Sequence, residues 1–169
     1  MADFFTDLVP QFQEFVAGLP EWLQPAGVAL AGAVPFVEGE GAAVVGVLGG
    51  IPTPLVVVAA ILGNVLAVTL VVLVSAGTRK AVVAAARRGD APPAPPSARR
   101  EKFDRAFARY GVAGVCLLGP LLIPTHFTAA ALTASGVSRA RVLAWQAVAI
   151  TLWTTGFALV ITGVIRFAG

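Results

Sequence analysis

Four stretches of this chain, residues 26–50, 53–76, 111–135 and 142–165, are each apolar over about the length that crosses a bilayer, and proline and glycine break two of them in the middle. A spanning helix needs about 20 predominantly apolar residues. No water is available inside hydrocarbon, so every backbone N–H and C=O must be satisfied within the protein. The breaks read Pro35…Glu38-Gly39-Glu40-Gly41 in the first stretch and Gly119-Pro120…Pro124-Thr125-His126 in the third. Such breaks are tolerated only where protein or a cavity satisfies the freed groups. Residues 26–50 and 111–136 are therefore expected to form re-entrant helical hairpins, which enter and leave on one side. Residues 53–76 and 142–165 are expected to be transmembrane helices.

Composition supports the same class. Of 169 residues 57% are hydrophobic and 12% charged, with a mean hydropathy of +0.85. Soluble domains carry about 25% charged residues, so an all-α integral membrane protein of one domain is expected. The first 23 residues lack the basic start and clean apolar core of a signal peptide. Phe4, Leu8, Phe12, Phe15, Leu19 and Trp22 recur at helical spacing, with Asp3, Asp7, Glu14 and Glu21 on the other side. That pattern is an amphipathic helix suited to the membrane interface. Residues 81–101 form a polar break whose Ala-Pro-Pro-Ala-Pro-Pro-Ser run (91–97) reads as an extended linker. A short basic helix over 99–110 follows.

Charge sets the orientation. Residues 1–78 contain no Lys or Arg, whereas Arg79, Lys80, Arg87, Arg88, Arg99, Arg100, Lys102, Arg105 and Arg109 crowd the next block. If all four stretches spanned, Arg139 and Arg141 would face away from that block. With two re-entrant hairpins, the basic 78–109 segment and Arg139/Arg141 share the cytoplasmic side, and the N-terminal helix lies outside. Only this arrangement follows the positive-inside rule throughout. It relates the halves as an inverted repeat offset by about 85 residues, as is common among transporters. The pI near 9.8 is then a matter of topology, and no nucleic-acid partner is expected.

The candidate site is the pair Glu38 and Glu40. A carboxylate in hydrocarbon costs about 2.5–3.5 kcal/mol on insertion scales and is by default a functional-site hypothesis. In a regular helix positions i and i+2 point apart, but a tip loosened by Gly39 and Gly41 lets both face one cavity. Burial and a like-charged neighbour favour the protonated form, which suits exchange of a proton for a cation. The competing reading is a pair of glutamates that cap helix ends. His126, the only histidine, sits at the second break, and an offset of 86 aligns it with Glu40. A His–carboxylate relay between hairpin tips is one reading; a histidine bonded to backbone is the other. Pro35, Gly39, Gly41, Pro120, Pro124 and Thr125 shape the two tips. Asn64, Gln146, Thr151, Thr154 and Thr155 are the polar residues of the clean helices, where such groups bind helices together for about 0.6 kcal/mol each or line a path; Asn64 and Gln146 are placed with the site. Trp145, Trp153 and Cys116 read as packing, and the lone cysteine excludes an internal disulfide. Arg139 and Arg141 serve orientation first and a lipid phosphate second. No nucleophilic triad, phosphate loop or metal motif occurs, so no enzyme, cofactor or metal is expected.

At these residues the chain resembles a known group. Gly32-Ala-Val-Pro35-Phe-Val-Glu38 with Ala60-Ile-Leu-Gly63-Asn64-Val is similar to the first half of the small multidrug export protein family. Arg109-Tyr-Gly111, Leu118-Gly119-Pro120-Leu-Leu-Ile-Pro124-Thr-His-Phe and Ser138-Arg139-Ala-Arg141-Val-Leu-Ala-Trp145-Gln146 resemble its actinobacterial branch. More distantly, the architecture resembles the DedA (VTT-domain) superfamily, which implies two re-entrant hairpins, a bacterial cytoplasmic membrane and proton-coupled carrier-lipid transport. That superfamily's acidic residue in the first hairpin matches Glu38 or Glu40. Its arginines in the second have no counterpart in Leu121-Leu122-Ile123-Pro124-Thr125-His126-Phe127, which weakens the case for phosphate binding. The expectation is a small proton-coupled transporter of a cationic or neutral amphiphile, with lipid, protons and a second copy of the chain as partners. A polyprenyl-phosphate flippase and a non-transporting membrane scaffold are the alternatives.

Overall fold

The computed structural model describes residues 2–87 and 98–168, with side-chain surroundings for 8–84, 105 and 107–167. Every regular element among them is helical: α1 (Ala2–Ala17), α2 (Gln24–Gly32), α3 (Glu38–Leu48), α4 (Thr53–Arg87), α5 (Ala98–Leu118), α6 (Thr125–Ala134) and α7 (Arg139–Ala168), with a 3-10 turn at Gly119–Leu121 between α5 and α6. The chain divides into two compact units. One comprises Met1–Ala67 and Ala147–Gly169, the other Val68–Gln146.

Two helices are long and apolar enough to cross a membrane, over Thr53–Ala84 (mean hydropathy 2.8) and Arg139–Phe167 (2.0). Their most apolar stretches are only 39% and 22% buried, unlike the core helix of a soluble protein. On α4, Leu55, Val58, Leu62, Leu66, Leu70 and Leu73 recur every three or four residues on an exposed face. Val56, Ala60, Gly63, Asn64, Val68 and Val72 occupy the buried one. Large apolar residues outside and small or polar ones inside is the pattern of a helix that packs through close backbone approach.

In the first unit α1, α2 and α3 pack on one another. Val16 of α1, Val28 and Ala31 of α2, Ala42, Ala43 and Val45 of α3, Val56 and Ala60 of α4 and Ala158 of α7 form a buried cluster, joined at its edge by Leu8, Val9 and Phe12. The apolar side of α1 thus faces protein, while Phe15 and Trp22 stay exposed. The helix ends at Ala17, short of the 1–23 expected, because Gly18 and Pro20 interrupt it.

The limb α2 meets α4 through small residues. A Cβ at Gly32 would lie 2.7 Å from the Ala60 carbonyl oxygen, and one at Gly63 would run into the carbonyl of Ala29. Ala29 and Gly32 therefore face Ala60 and Gly63, two pairs three residues apart that let the backbones touch. Thr53 and Thr162 add a hydroxyl–hydroxyl hydrogen bond of 3.1 Å between α4 and α7.

The second unit holds α5, its 3-10 turn and α6. Gly111 interrupts α5 with φ 65° and ψ −171°, a conformation that a side chain disfavours. The basic helix expected over 99–110 thus ends where the apolar segment begins. Its Arg109 guanidinium stacks 5.3 Å from the Tyr110 ring centroid.

A second difference from expectation lies in α4. The α4 helix runs to Arg87 and does not end at 76, so Arg79, Lys80 and Arg87 lie on helix where a linker was expected. The proline run 91–97 lies outside the described residues. The turns after α3 and α6 also share one chemistry. Gly50 N–H bonds to Val47 O and Ile51 N–H to Gly46 O; Gly136 N–H bonds to Thr133 O and Val137 N–H to Leu132 O. Gly50 (φ 80°) and Gly136 (φ 95°) are the left-handed residues. Each is a Schellman-type helix end with glycine where a Cβ would be strained, and the two recur 86 residues apart.

Candidate functional site

Helix α2 stops as Pro35 approaches: a proline restricts the residue before it and offers no N–H. The chain turns through 33–37 and re-enters helix at Glu38. The turn is carried by unusual backbone, since Phe36 (φ 74°) and Glu38 (φ 52°) both have positive φ. Left-handed backbone costs a side-chain-bearing residue about 1–2 kcal/mol, and strain of this kind concentrates at functional sites.

Glu38 and Glu40 occupy the first turn of α3. A helix N-terminus favours negative charge, so both carboxylates gain from their place. Glu38 is 6% exposed, whereas Glu40 is partly exposed, and Glu40 accepts a hydrogen bond from its own backbone N–H. Gly39 between them is buried, and a Cβ there would run into the hydroxyl of Thr154 on α7. Gly39 thus serves close approach inside a helix; it does not supply a loosened tip. Gly41 takes a similar role, since a Cβ there would lie 2.9 Å from Val37 Cγ1. Pro35 is exposed at the turn, and Asn64 lies on α4 at 1% exposure.

Thr154 is the residue that sequence reasoning undervalued. It is fully buried, and its hydroxyl oxygen has no hydrogen-bond partner among the described residues. A buried hydroxyl left unsatisfied costs about 1–3 kcal/mol, and the usual remedy in a helix is a bond to the carbonyl four residues back. Sequence placed it among residues that bind helices together. Only the α3 residue it packs against, a glycine flanked by two glutamates, distinguishes it, and that contact spans 115 positions of the chain.

The remaining candidates belong to the second unit. Its helix α6 starts at Thr125 after Pro124, with Thr125 (1%) and His126 (5%) buried in the first turn. Gln146 Nε2 donates to the Thr125 carbonyl at 3.3 Å, which fixes the start of α6 to α7; the Gln146 Oε1 has no partner among the described residues. Pro120 lies in the 3-10 turn, where Ile123 N–H and Leu122 N–H both bond to Gly119 O at 2.8 Å. Counted back from the Schellman turns, His126 matches Glu40. Counted from the helix starts it matches Gly39, because α3 (11 residues) is one longer than α6 (10). Arg139 and Arg141 are exposed at the start of α7. Near them sequence reasoning missed Arg79, whose Nε donates to the Ala134 carbonyl at 3.2 Å and whose guanidinium covers Gly136.

Cys116 is fully buried, and Trp153 packs against Phe157 at 6.3 Å between ring centroids. Among the described residues no three of His, Cys, Asp and Glu gather as metal ligands. Compared with family models, curated proteins and solved structures, the chain matches none.

Proposed function

We propose that this protein is a small proton-coupled membrane transporter in which Glu38 and Glu40 exchange a proton for a cationic or neutral amphiphile. One observation carries the reading: Glu38 is 6% exposed, on positive-φ backbone, at the junction of two short apolar helices. A strained, buried acid between two short apolar helices is a poor stability device and a good proton carrier.

Helix lengths support re-entrance. With nine and eleven residues, α2 and α3 reach about 14 and 17 Å, roughly half of a hydrocarbon core of about 30 Å. The repeated Schellman turns support an internal repeat, and the base-free N-terminal half supports its inverted orientation in a bacterial cytoplasmic membrane. The resemblance to small multidrug exporters agrees with this chemistry.

The carrier-lipid reading has one observation in its favour. Arg79 is tied by Nε to the last carbonyl of α6, Arg139 and Arg141 stand exposed at the start of α7, and guanidinium groups are suited to a lipid phosphate.

Reconstitution distinguishes the readings. With an imposed pH gradient, proteoliposomes holding the wild type should accumulate a cationic amphiphilic dye, and Glu38→Gln with Glu40→Gln should abolish the uptake. Uptake unchanged by the double substitution would overturn the proposal. Retention of polyprenyl phosphate that is lost on Arg79→Ala with Arg139→Ala and Arg141→Ala would favour the flippase. Neither activity under any gradient would favour a scaffold.

A further inference from the structure

We infer that the first turn of α3 and the Thr154 hydroxyl form a site for a small dehydrated monovalent cation, sodium by its chemistry. The inference rests on the reading of Glu38 and Glu40 as the exchange site and names a second occupant for it.

Three observations carry it. The Thr154 oxygen is fully buried and unpartnered among the described residues, so it holds an unused acceptor in an interior where such groups are normally satisfied. It is directed at Gly39, the residue between the two glutamates, and the absent Cβ is what admits it. The turn at 33–37 is non-helical, and unwound backbone at such breaks turns its carbonyls to coordinating ions.

The donor set selects the ion. Carboxylate, hydroxyl and carbonyl oxygens are hard ligands and suit hard cations, not soft transition metals. Calcium takes six to eight oxygens, and magnesium keeps much of its water; a closed position with a single hydroxyl against backbone favours neither. An amine-bearing amphiphile needs an open path to its charged group, whereas the Thr154 oxygen is fully buried. A bare monovalent ion needs no such path, and Glu38 and Glu40 in the same first turn supply the negative charge that attracts it. Its charge also offsets one of two carboxylates that otherwise repel each other.

The test uses the full chain in detergent at constant ionic strength, with choline chloride exchanged for sodium chloride. Sodium should raise the unfolding temperature of the wild type and of Thr154→Ser, which keeps the oxygen. Thr154→Val, of nearly the same shape, should bind sodium about 10- to 100-fold more weakly, as expected for loss of one hydrogen-bonding ligand to a charge. An equal sodium shift in Thr154→Val overturns the inference, as does a shift no larger with sodium than with choline. Binding of radioactive sodium to the wild type by scintillation proximity, competed by lithium ahead of potassium, needs no variant; absence of such binding also overturns it. Dye uptake in sodium-free proteoliposomes separates the two readings. Wild-type uptake in a protein that shows no sodium binding leaves the proton exchange standing while the sodium site falls.

Discussion

At the scale of single residues, the hairpin tip uses its glycines and its side-chain-bearing residues against habit. Positive φ is ordinarily left to glycine, yet here Phe36 and Glu38 adopt it while Gly39 and Gly41 are helical. Close packing explains the exchange, because Gly39 must lie bare against Thr154 and so cannot serve the turn. Sequence shows that Glu38-Gly39-Glu40-Gly41 is exceptional, and it locates the break. It does not show which residue bends, since that depends on a contact with α7 more than a hundred positions away. The strain is measurable at Phe36, which is 53% exposed. Both Phe36→Ala and Phe36→Gly remove the ring, but only glycine relieves the backbone. Phe36→Gly should therefore be more stable than Phe36→Ala by about 1 kcal/mol, read as the difference in detergent unfolding midpoints. Equal midpoints would show that residue 36 carries no such strain.

At the scale of elements, the helices are joined more by absent side chains than by present ones. Within a membrane the hydrophobic effect gives little reason for one apolar helix to prefer another over lipid, so close packing decides. Ala29 and Gly32 of α2 against Ala60 and Gly63 of α4 supply it. Gly63 and Gly77 lie on the same helix, and the structure sets them apart: a Cβ at Gly63 meets the Ala29 backbone, whereas one at Gly77 meets nothing within 4 Å. Gly63→Ala should then destabilise by about 1–3 kcal/mol, the ordinary cost of overpacking. Gly77→Ala should stabilise by roughly 0.5–1 kcal/mol, as alanine does for glycine in an open helix. Paired thermal melts check the opposite signs. Element ends were legible where backbone chemistry sets them, as at Gly50, Gly111 and Gly136. They are not legible where an apolar run ends without a helix breaker. Arg79 and Lys80 mark the end of the apolar surface, but the Ala- and Val-rich residues after them continue the helix to Arg87, because charge ends burial without breaking an i→i−4 ladder.

At the scale of the whole molecule, what composition settles is that α4 and α7 are long and apolar enough to cross a membrane; which sides their ends occupy is a question of charge. The two topologies weighed for this chain place the turn before α4 and the turn before α7 differently. If both hairpins return to the side they entered, residues 50–53 lie outside and residues 136–139 in the cytoplasm. If all four apolar stretches cross, both turns lie outside. Pro52 and Ser138 are exposed, and the native Cys116 is buried, so single cysteines at these two positions in a Cys116→Ala background report each turn separately. With a membrane-impermeant maleimide on intact cells, Pro52→Cys should label at once and Ser138→Cys only after the membrane is opened. Labelling of both in intact cells would refute re-entrance, and with it the argument that Glu38 sits at a tip where strain and burial are put to use. Labelling on opposite sides would leave α2 and α3 as a short hairpin braced on α4 by glycine and on α7 by Thr154, holding its two acids where only a proton or a small ion can answer them.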